Sequence, residues 1–490
     1  MIALPFILNC LFNFATGLMV AKLLGPAEYG RYALVMSTAL VLQCLGLEWL
    51  RLSTIRFYSD QERLNHPEIR ATLDMTFVVI AGVATVVALL TAYSGLRSPI
   101  SGVLVALSIV TACALALFEI SAASLRARFN HRAYGLFVVG KNVLSILLTV
   151  GGAWTTGSAR MALIGMIVSI VGSVVLSYRL LRDTNARLSQ ASWSLVRRFA
   201  AYGFPVVVAN VFYQAVPMAN RAWVSQIHGF AEAGQLALAS DIGIRIVGSI
   251  GSALDVLLFQ VAVATERTSG LAAARQEVSR NMGLIIAVLA PTTVGFWLVL
   301  PSFEHLLVPA SYQGQFAHYM TILMPGIACY VLAMFCIAPA FQIMHRTGPL
   351  IAGGVLALVA YGAAIKLLPI SVDASSPALA QSISSIVGLA TILVLLSLRD
   401  PLWPPLKDVV GTTFATLLML IVLVPLRAMP AGVVSLALQI CLGGFVYGAA
   451  ALACNLCGLQ TIVRPRLGWA LAWGRPSERP SATISETTTS

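Results

Sequence analysis

Residues 17–57 read GLMVAKLLGPAEYGRYALVMSTALVLQCLGLEWLRLSTIRF. Two apolar runs flank a short joint that carries Lys22, Glu28 and Arg31. The runs, 2–21 and 32–52 in full, are each close to the roughly twenty residues a helix needs to cross bilayer hydrocarbon. Apolar runs of about this length, with short polar joints between them, recur along the whole chain. Strict alternation over runs of about ten residues, the mark of a membrane barrel, is absent from the sequence.

Of the 490 residues, 58% are hydrophobic and only 10% are Asp, Glu, Lys or Arg. Soluble domains carry about a quarter charged residues, and the mean hydropathy of +0.87 points the same way. The sequence therefore predicts an all-α polytopic membrane protein with about fourteen transmembrane helices and no soluble domain of any size. The spans fall at 2–21, 32–52, 73–94, 100–122, 134–154 and 161–178, then at 199–225, 234–261, 282–300, 317–342, 349–369 and 377–397, with two more at 409–426 and 432–456. Segments 301–317 and 457–474 are ambiguous and move the count by one or two.

The net charge of +12 would suggest nucleic acid in a soluble protein. Here it reads as topology, because Lys and Arg collect in cytoplasmic loops. With the N-terminus inside, 21 of the 31 basic residues fall in inner loops and the tail, and 6 in outer joints. Both termini are expected in the cytoplasm of a bacterial inner-membrane protein. No basic n-region or A-x-A site precedes the first span, so residues 2–21 read as a retained helix, with a few basic residues expected upstream of the start. The eight cysteines lie in or beside apolar spans and read as small hydrophobes. Cys454 and Cys457 form a C-x-x-C with no second ligand pair, so neither a metal nor another cofactor is expected.

The joint quoted above has a counterpart. Residues 23–35 (LLGPAEYGRYALV) and 227–239 (IHGFAEAGQLALA) match at a constant offset of 204 in Gly25/Gly229, Ala27/Ala231, Glu28/Glu232, Gly30/Gly234, Ala33/Ala237 and Leu34/Leu238. Each joins the first two helices of a six-helix block. An even number of helices gives both blocks one orientation, which predicts two parallel-oriented lobes about a pseudo-two-fold along the membrane normal, plus two C-terminal helices. The expected divisions are an N-terminal lobe at 1–180, a cytoplasmic linker at 181–198, and a C-terminal lobe at 199–398. Two extra helices follow at 399–456, then a tail at 457–490 that is disordered from about 475. Ser192–Phe199 is a candidate amphipathic helix on the inner surface.

The pattern AKLLGPAEYGRYA, Ala21 to Ala33, resembles the opening of polysaccharide flippases. These are O-antigen and exopolysaccharide translocases in the multidrug/oligosaccharidyl-lipid/polysaccharide exporter superfamily. Asn220-Arg221, running to Gly229, is similar to a D-R turn often found in that family, with Asn in place of Asp. The resemblance implies movement of an undecaprenyl-diphosphate-linked oligosaccharide from the inner to the outer leaflet by alternating access, with a polysaccharide polymerase or other export proteins as candidate partners. Membrane lipids surround the chain, and no nucleic acid partner is expected.

Ionisable groups at membrane depth are costly and normally face a bundle interior or a water-filled cavity. Asn210, Gln214, Pro217 and Arg221 recur at i, i+4, i+7 and i+11, one face of the seventh helix. Arg221 is a candidate phosphate ligand, since guanidinium makes charge-assisted, often bidentate bonds to phosphate; the competing reading is snorkelling to the outer surface. Tyr213, Asn210 and Gln214 are candidates for sugar hydroxyls. Glu48/Arg51 at i, i+3 and Asp241/Arg245 at i, i+4 read as internal ion pairs, although Arg51 and Arg245 stay on the list of substrate-binding candidates. Lys141 has no acid nearby in sequence, and Glu119 and Asp255 are candidates for proton carriage or for pairing across lobes.

The closest rival is a cation-coupled multidrug antiporter of the same superfamily, which usually has twelve helices and a carboxylate in the first; residues 2–21 hold no acid. A lipid II flippase would open with an Arg-Asp-rich stretch, which Met1 to Gly30 lack. A membrane glycosyltransferase or polymerase needs outer-face catalytic groups, and the longest outer joint offers only Glu304 and His305. Signatures for ATP, zinc and serine chemistry are absent from the sequence. The sequence reads as a transporter, not an enzyme, driven by an ion gradient, the membrane potential or removal of product.

Overall fold

The computed structural model describes residues 3–93, 101–128, 130–344, 346–399 and 401–460. The predicted disordered tail and its arginines lie outside the described residues. Every regular element among those described is helical. Twelve long helices organise the chain: α1 (Ala3–Phe57), α2 (Pro67–Tyr93), α3 (Gly102–Ala127), α4 (Arg132–Thr156), α5 (Ala159–Leu176), α6 (Trp193–Ile227), α7 (Phe230–Leu307), α8 (Gln315–Ile343), α9 (Gly348–Leu367), α10 (Ser375–Arg399), α11 (Leu406–Leu423) and α12 (Val433–Ala453).

Two of these are too long for one crossing. At 1.5 Å per residue, α1 and α7 would measure about 80 and 115 Å, against about 30 Å of hydrocarbon. Each is broken at a glycine with left-handed dihedrals, Gly25 (φ 69°) and Gly270 (φ 84°). Pro26 reinforces the first break because it carries no N–H for the helix ladder. The arms then fold back: Asn13 and Gly17 from one arm of α1 face the same cavity as Tyr32 and Met36 from the other. In α7 the Asn281 amide donates to the Leu258 carbonyl at 3.1 Å. Among the described residues thirteen segments are long and apolar enough to span a membrane, with α1 counted once and α7 as two arms. The two arms of α1 bring the crossings to the fourteen expected.

Several boundaries differ from the sequence reading. Residues 301–317 add no crossing; α7 runs to Leu307 and a short 3-10 turn at Ala310–Tyr312 leads into α8. Ser192–Phe199 is not a separate surface helix. Ser192 is the N-cap of α6, and Trp193 onward forms its first turns without interruption. Apolar continuity into the span outweighs the basic pair Arg197-Arg198 there.

The two matched joints meet. A Cβ placed on Gly30 would lie 1.9 Å from the Phe230 carbonyl oxygen, and one on Gly234 would lie 2.0 Å from that of Pro26. Phe230 is Pro26 shifted by the repeat offset, so the contact is reciprocal about a pseudo-dyad. Gly25 and Gly229 share one backbone conformation, with ψ of 172° and 171°. The matched glutamates also do matching jobs. Glu28 Oε2 accepts from the Ala159 N–H at 2.9 Å, at the start of α5. Glu232 Oε1 accepts from the Ala374 N–H at 3.3 Å, at the start of α10. Each carboxylate satisfies a helix-terminal amide and favours the positive end of the helix dipole.

Candidate functional site

Two cavities lie side by side in the middle of the bundle. One, of about 210 Å³, is enclosed by both arms of α1 with α3, α4, α5 and α7. The other, of about 230 Å³, is bounded by α6, α7, α8, α9 and α10, with Ser37 and Leu40 of α1. Leu40, Arg221 and Asp241 line both, so the arginine–aspartate pair stands on the partition between them.

That partition is tightly built. Arg221 is buried, with 7% of its surface exposed, so it does not snorkel. One guanidinium nitrogen bonds Asp241 and the other donates to the Ala33 carbonyl at 3.1 Å. Tyr29 donates to the second Asp241 oxygen at 3.3 Å. Asp241 therefore pairs with Arg221 and not with Arg245, its i+4 neighbour. Helical spacing allowed the local pair, but α6 packs close enough to α7 to supply a buried partner instead.

Arg245 is released by that exchange. It is exposed to the first cavity, and donates to the Asn13 main-chain carbonyl. Lys141 lines the same cavity; its Nζ reaches the Asn13 side-chain oxygen at 3.4 Å and lies 5.1 Å from the centre of the Phe118 ring. No described carboxylate forms an ion pair with either cation. Hydroxyls of Thr16, Ser145, Thr149 and Ser169 line the same space. An amide ladder supports it: Asn13 and Asn142 both donate to Asn9 Oδ1, at 3.1 and 3.0 Å.

The second cavity has a different chemistry. Gln214, Ser382, Ser385 and Gln381 line it, and apart from the shared pair it holds no charge. Behind it a neutral chain runs from Tyr361 to Asn220 at 3.2 Å, Asn220 to Gln381 at 2.5 Å and Gln381 to Ser240 at 3.2 Å. The Tyr213 ring lines this cavity, but its hydroxyl is sealed against Gly353 without a hydrogen-bond partner, so it does not present to a sugar. Asn210 lines neither cavity, although Gln214, Pro217 and Arg221 of the same face line the second.

The other candidates lie elsewhere. Glu48 and Arg51 form the expected ion pair, with Arg51 Nε 2.9 Å from the carboxylate and Gln43 at 3.5 Å. Glu119 is within electrostatic reach of Arg51 and Lys141 but lines neither cavity. Asp255 borders a small gap with Asn281 and Cys336 between α7 and α8, away from the partition. Asn13, Tyr29 and Tyr32 also line the first cavity and Asn9 supports it, four positions outside the sequence-based candidates. The i, i+4 spacing of Asn9 and Asn13 in the first span was the available signal.

No protein-family model matches the chain, and no curated protein matches it in sequence. Solved structures do. The lipid II flippase MurJ, in an inward closed conformation, superposes with a TM-score of 0.69 over 93% of this chain and 98% of that one, at 13% identity. An inward-facing multidrug resistance MATE family transporter of the MOP superfamily gives 0.60 over 80% and 94%, at 15% identity. The MATE multidrug transporter DinF-BH gives 0.56 over 82% and 95%, at 12% identity.

The chain shares its fold with these solved transporters. MurJ is a flippase of the kind that the opening residues of this chain had argued against, and the likeness covers nearly all of both chains. At such low identity it establishes architecture, and the cargo must be argued from the lining of the cavities.

Proposed function

We propose that the chain is a flippase that moves an undecaprenyl-diphosphate-linked oligosaccharide across the bacterial inner membrane for surface or exopolysaccharide synthesis. In this reading residues 1–180 and 199–398 are the rocking lobes, 181–198 joins them, and 399–456 is an appendage. Both termini lie in the cytoplasm, which puts the Gly30–Gly234 seam at the outer face.

The observation that carries the proposal is the pair of cations, Lys141 and Arg245, that share a cavity and form no ion pair with a described carboxylate, the Asp241 on its wall being taken by Arg221. A cation at membrane depth is costly unless an anion arrives. Diphosphate supplies that anion, and charge-assisted hydrogen bonds to it offset its own desolvation. The neutral cavity across the partition, lined by Gln214 and serines, suits the hydroxyls of a sugar. Arg221 keeps the partition in place and is not the phosphate ligand, while the polyprenyl tail stays in lipid.

A second reading, the cation-coupled multidrug antiporter, is supported by the MATE likenesses and by Glu119 and Asp255, which form no ion pair with a described residue. Purified protein in liposomes separates the two. The flippase reading requires transfer of a diphosphate-linked glycolipid between leaflets that stops in the Lys141→Gln/Arg245→Gln variant. Drug-driven proton or cation exchange without lipid transfer would replace it with the antiporter.

A further inference from the structure

A cavity of about 450 Å³ lies at the seam end of the bundle, away from the two central ones. Its lining includes Glu28 and Arg31 from α1, Ser101 before α3, Ser158 and Arg160 at the start of α5, and Phe230 of α7. Its one acidic group is already engaged, by Arg31 and by the Ala159 N–H. The Arg31 guanidinium also lies over the Phe230 ring at 5.1 Å. Arg160 is exposed and makes no ion pair or hydrogen bond with a described residue. The charge left over in this space is positive.

The internal repeat separates what the cap needs from what it does not. Glu232 caps the start of α10 as Glu28 caps α5. The second copy manages this without arginines: Gln235 stands at the place of Arg31, and α10 opens with Ser375 and Ser376. Holding the helix start needs the glutamate and gives the arginines no part in the cap; Arg31 is tied to Glu28 and Phe230, and Arg160 has no such partner among the described residues. Both α3 and α5 start at this cavity behind serines that make no side-chain cap, so their first-turn amides, apart from the Ala159 N–H that Glu28 holds, add donors of the same sign.

We propose that this cavity is an anion site for the phosphate group of a membrane lipid. The occupant is either the diphosphate end of delivered cargo or the headgroup of an anionic phospholipid. Its place on the outer face rests on the orientation proposed above. Because Phe230 belongs to the second repeat, an occupant held by Arg31 and Arg160 touches both halves of the seam and favours the closed arrangement.

The test uses the full chain in phosphatidylcholine nanodiscs, titrated with inorganic diphosphate in a Lys141→Gln/Arg245→Gln background that silences both central cations. Saturable binding is expected to persist there and to weaken about tenfold when Arg160→Gln is added, with an unchanged melting temperature. No binding in that background, or binding indifferent to Arg160→Gln, overturns the site. Competition by added phosphatidylglycerol assigns the site to the phospholipid headgroup, and lack of competition assigns it to the cargo; either supports it. A wrong cargo assignment leaves this binding intact, and failure here leaves Lys141-dependent lipid transfer intact.

Discussion

Arg221 and Asp241 face each other across the junction of α6 and α7, each also held by the second helix arm of α1 through Ala33 and Tyr29. Arg221 is buried and Asp241 half-buried, so each is worth most to the other. Removing one partner from such a pair leaves an uncompensated charge and costs about 3–5 kcal/mol, whereas replacing both by apolar groups is often neutral. Arg221→Met is therefore expected to lower the melting temperature sharply, and Arg221→Met/Asp241→Leu to recover most of the loss. A double variant as unstable as the single one would show that the pair is not a closed unit.

Lys141 and Arg245 are expected to behave in the opposite way. Neither is neutralised by an ion pair with a described carboxylate, so Lys141→Ala and Arg245→Ala should leave expression and melting temperature near wild type. Each loses a charge-assisted contact with cargo, which predicts about a ten- to hundredfold drop in transport. Normal transport by both variants would remove the phosphate from this cavity.

The glycine seam makes a prediction through its symmetry. A methyl on Gly30 or Gly234 would sit about 2 Å from a main-chain carbonyl of the other joint. Backbone must shift, at a cost of about 1–3 kcal/mol for each substitution. Gly30→Ala and Gly234→Ala should therefore reduce closure of this end to similar extents, read as similar gains in thiol labelling of a cysteine introduced at the buried Ala233 in each variant. The double variant should cost less than the sum, since one separation of the joints relieves both contacts. Strong labelling in one variant and none in the other would contradict the reciprocal geometry.

The capping glutamates offer a second comparison between the repeats. Glu28→Ala strands the Ala159 N–H, for about 0.5–2 kcal/mol, whereas Glu232→Ala removes only one of two acceptors from the Ala374 N–H. The Ala374 N–H also donates to the Tyr319 hydroxyl at 3.1 Å, a second acceptor that survives the loss of Glu232. Thermal denaturation should accordingly show the larger loss for Glu28→Ala; a larger loss for Glu232→Ala would mean the tyrosine gives no support.

The architecture was legible because span length and the offset of 204 are properties of the chain itself. Gly25, Glu28 and Gly30 announced a repeated joint, and the contact between the two copies is what such a repeat requires. Partner choice was less legible. Asp241 reads as a local mate of Arg245 from helical spacing, yet the buried partner comes from α6, twenty residues earlier in the chain. Tyr213 reads as a sugar ligand from its helix face, but a glycine at position 353 opens a slot that takes its hydroxyl out of the cavity. Asn9 and Asn13 carry no charge and have no basic residue on their face to draw attention to them, as Arg221 does for Asn210 and Gln214, yet two amides one turn apart in an apolar span need partners just as surely.

The central claim concerns cargo, and the most direct measurement is made in cells. The chain is deleted, membrane lipids are extracted, and lipid-linked glycans are resolved by leaflet-selective labelling. The flippase account predicts an undecaprenyl-diphosphate oligosaccharide accumulating on the inner leaflet with loss of surface polysaccharide, reversed by the wild-type chain and not by the Lys141→Ala/Arg245→Ala variant. Normal surface glycan together with altered drug or cation sensitivity would contradict it and assign the chain to antiport.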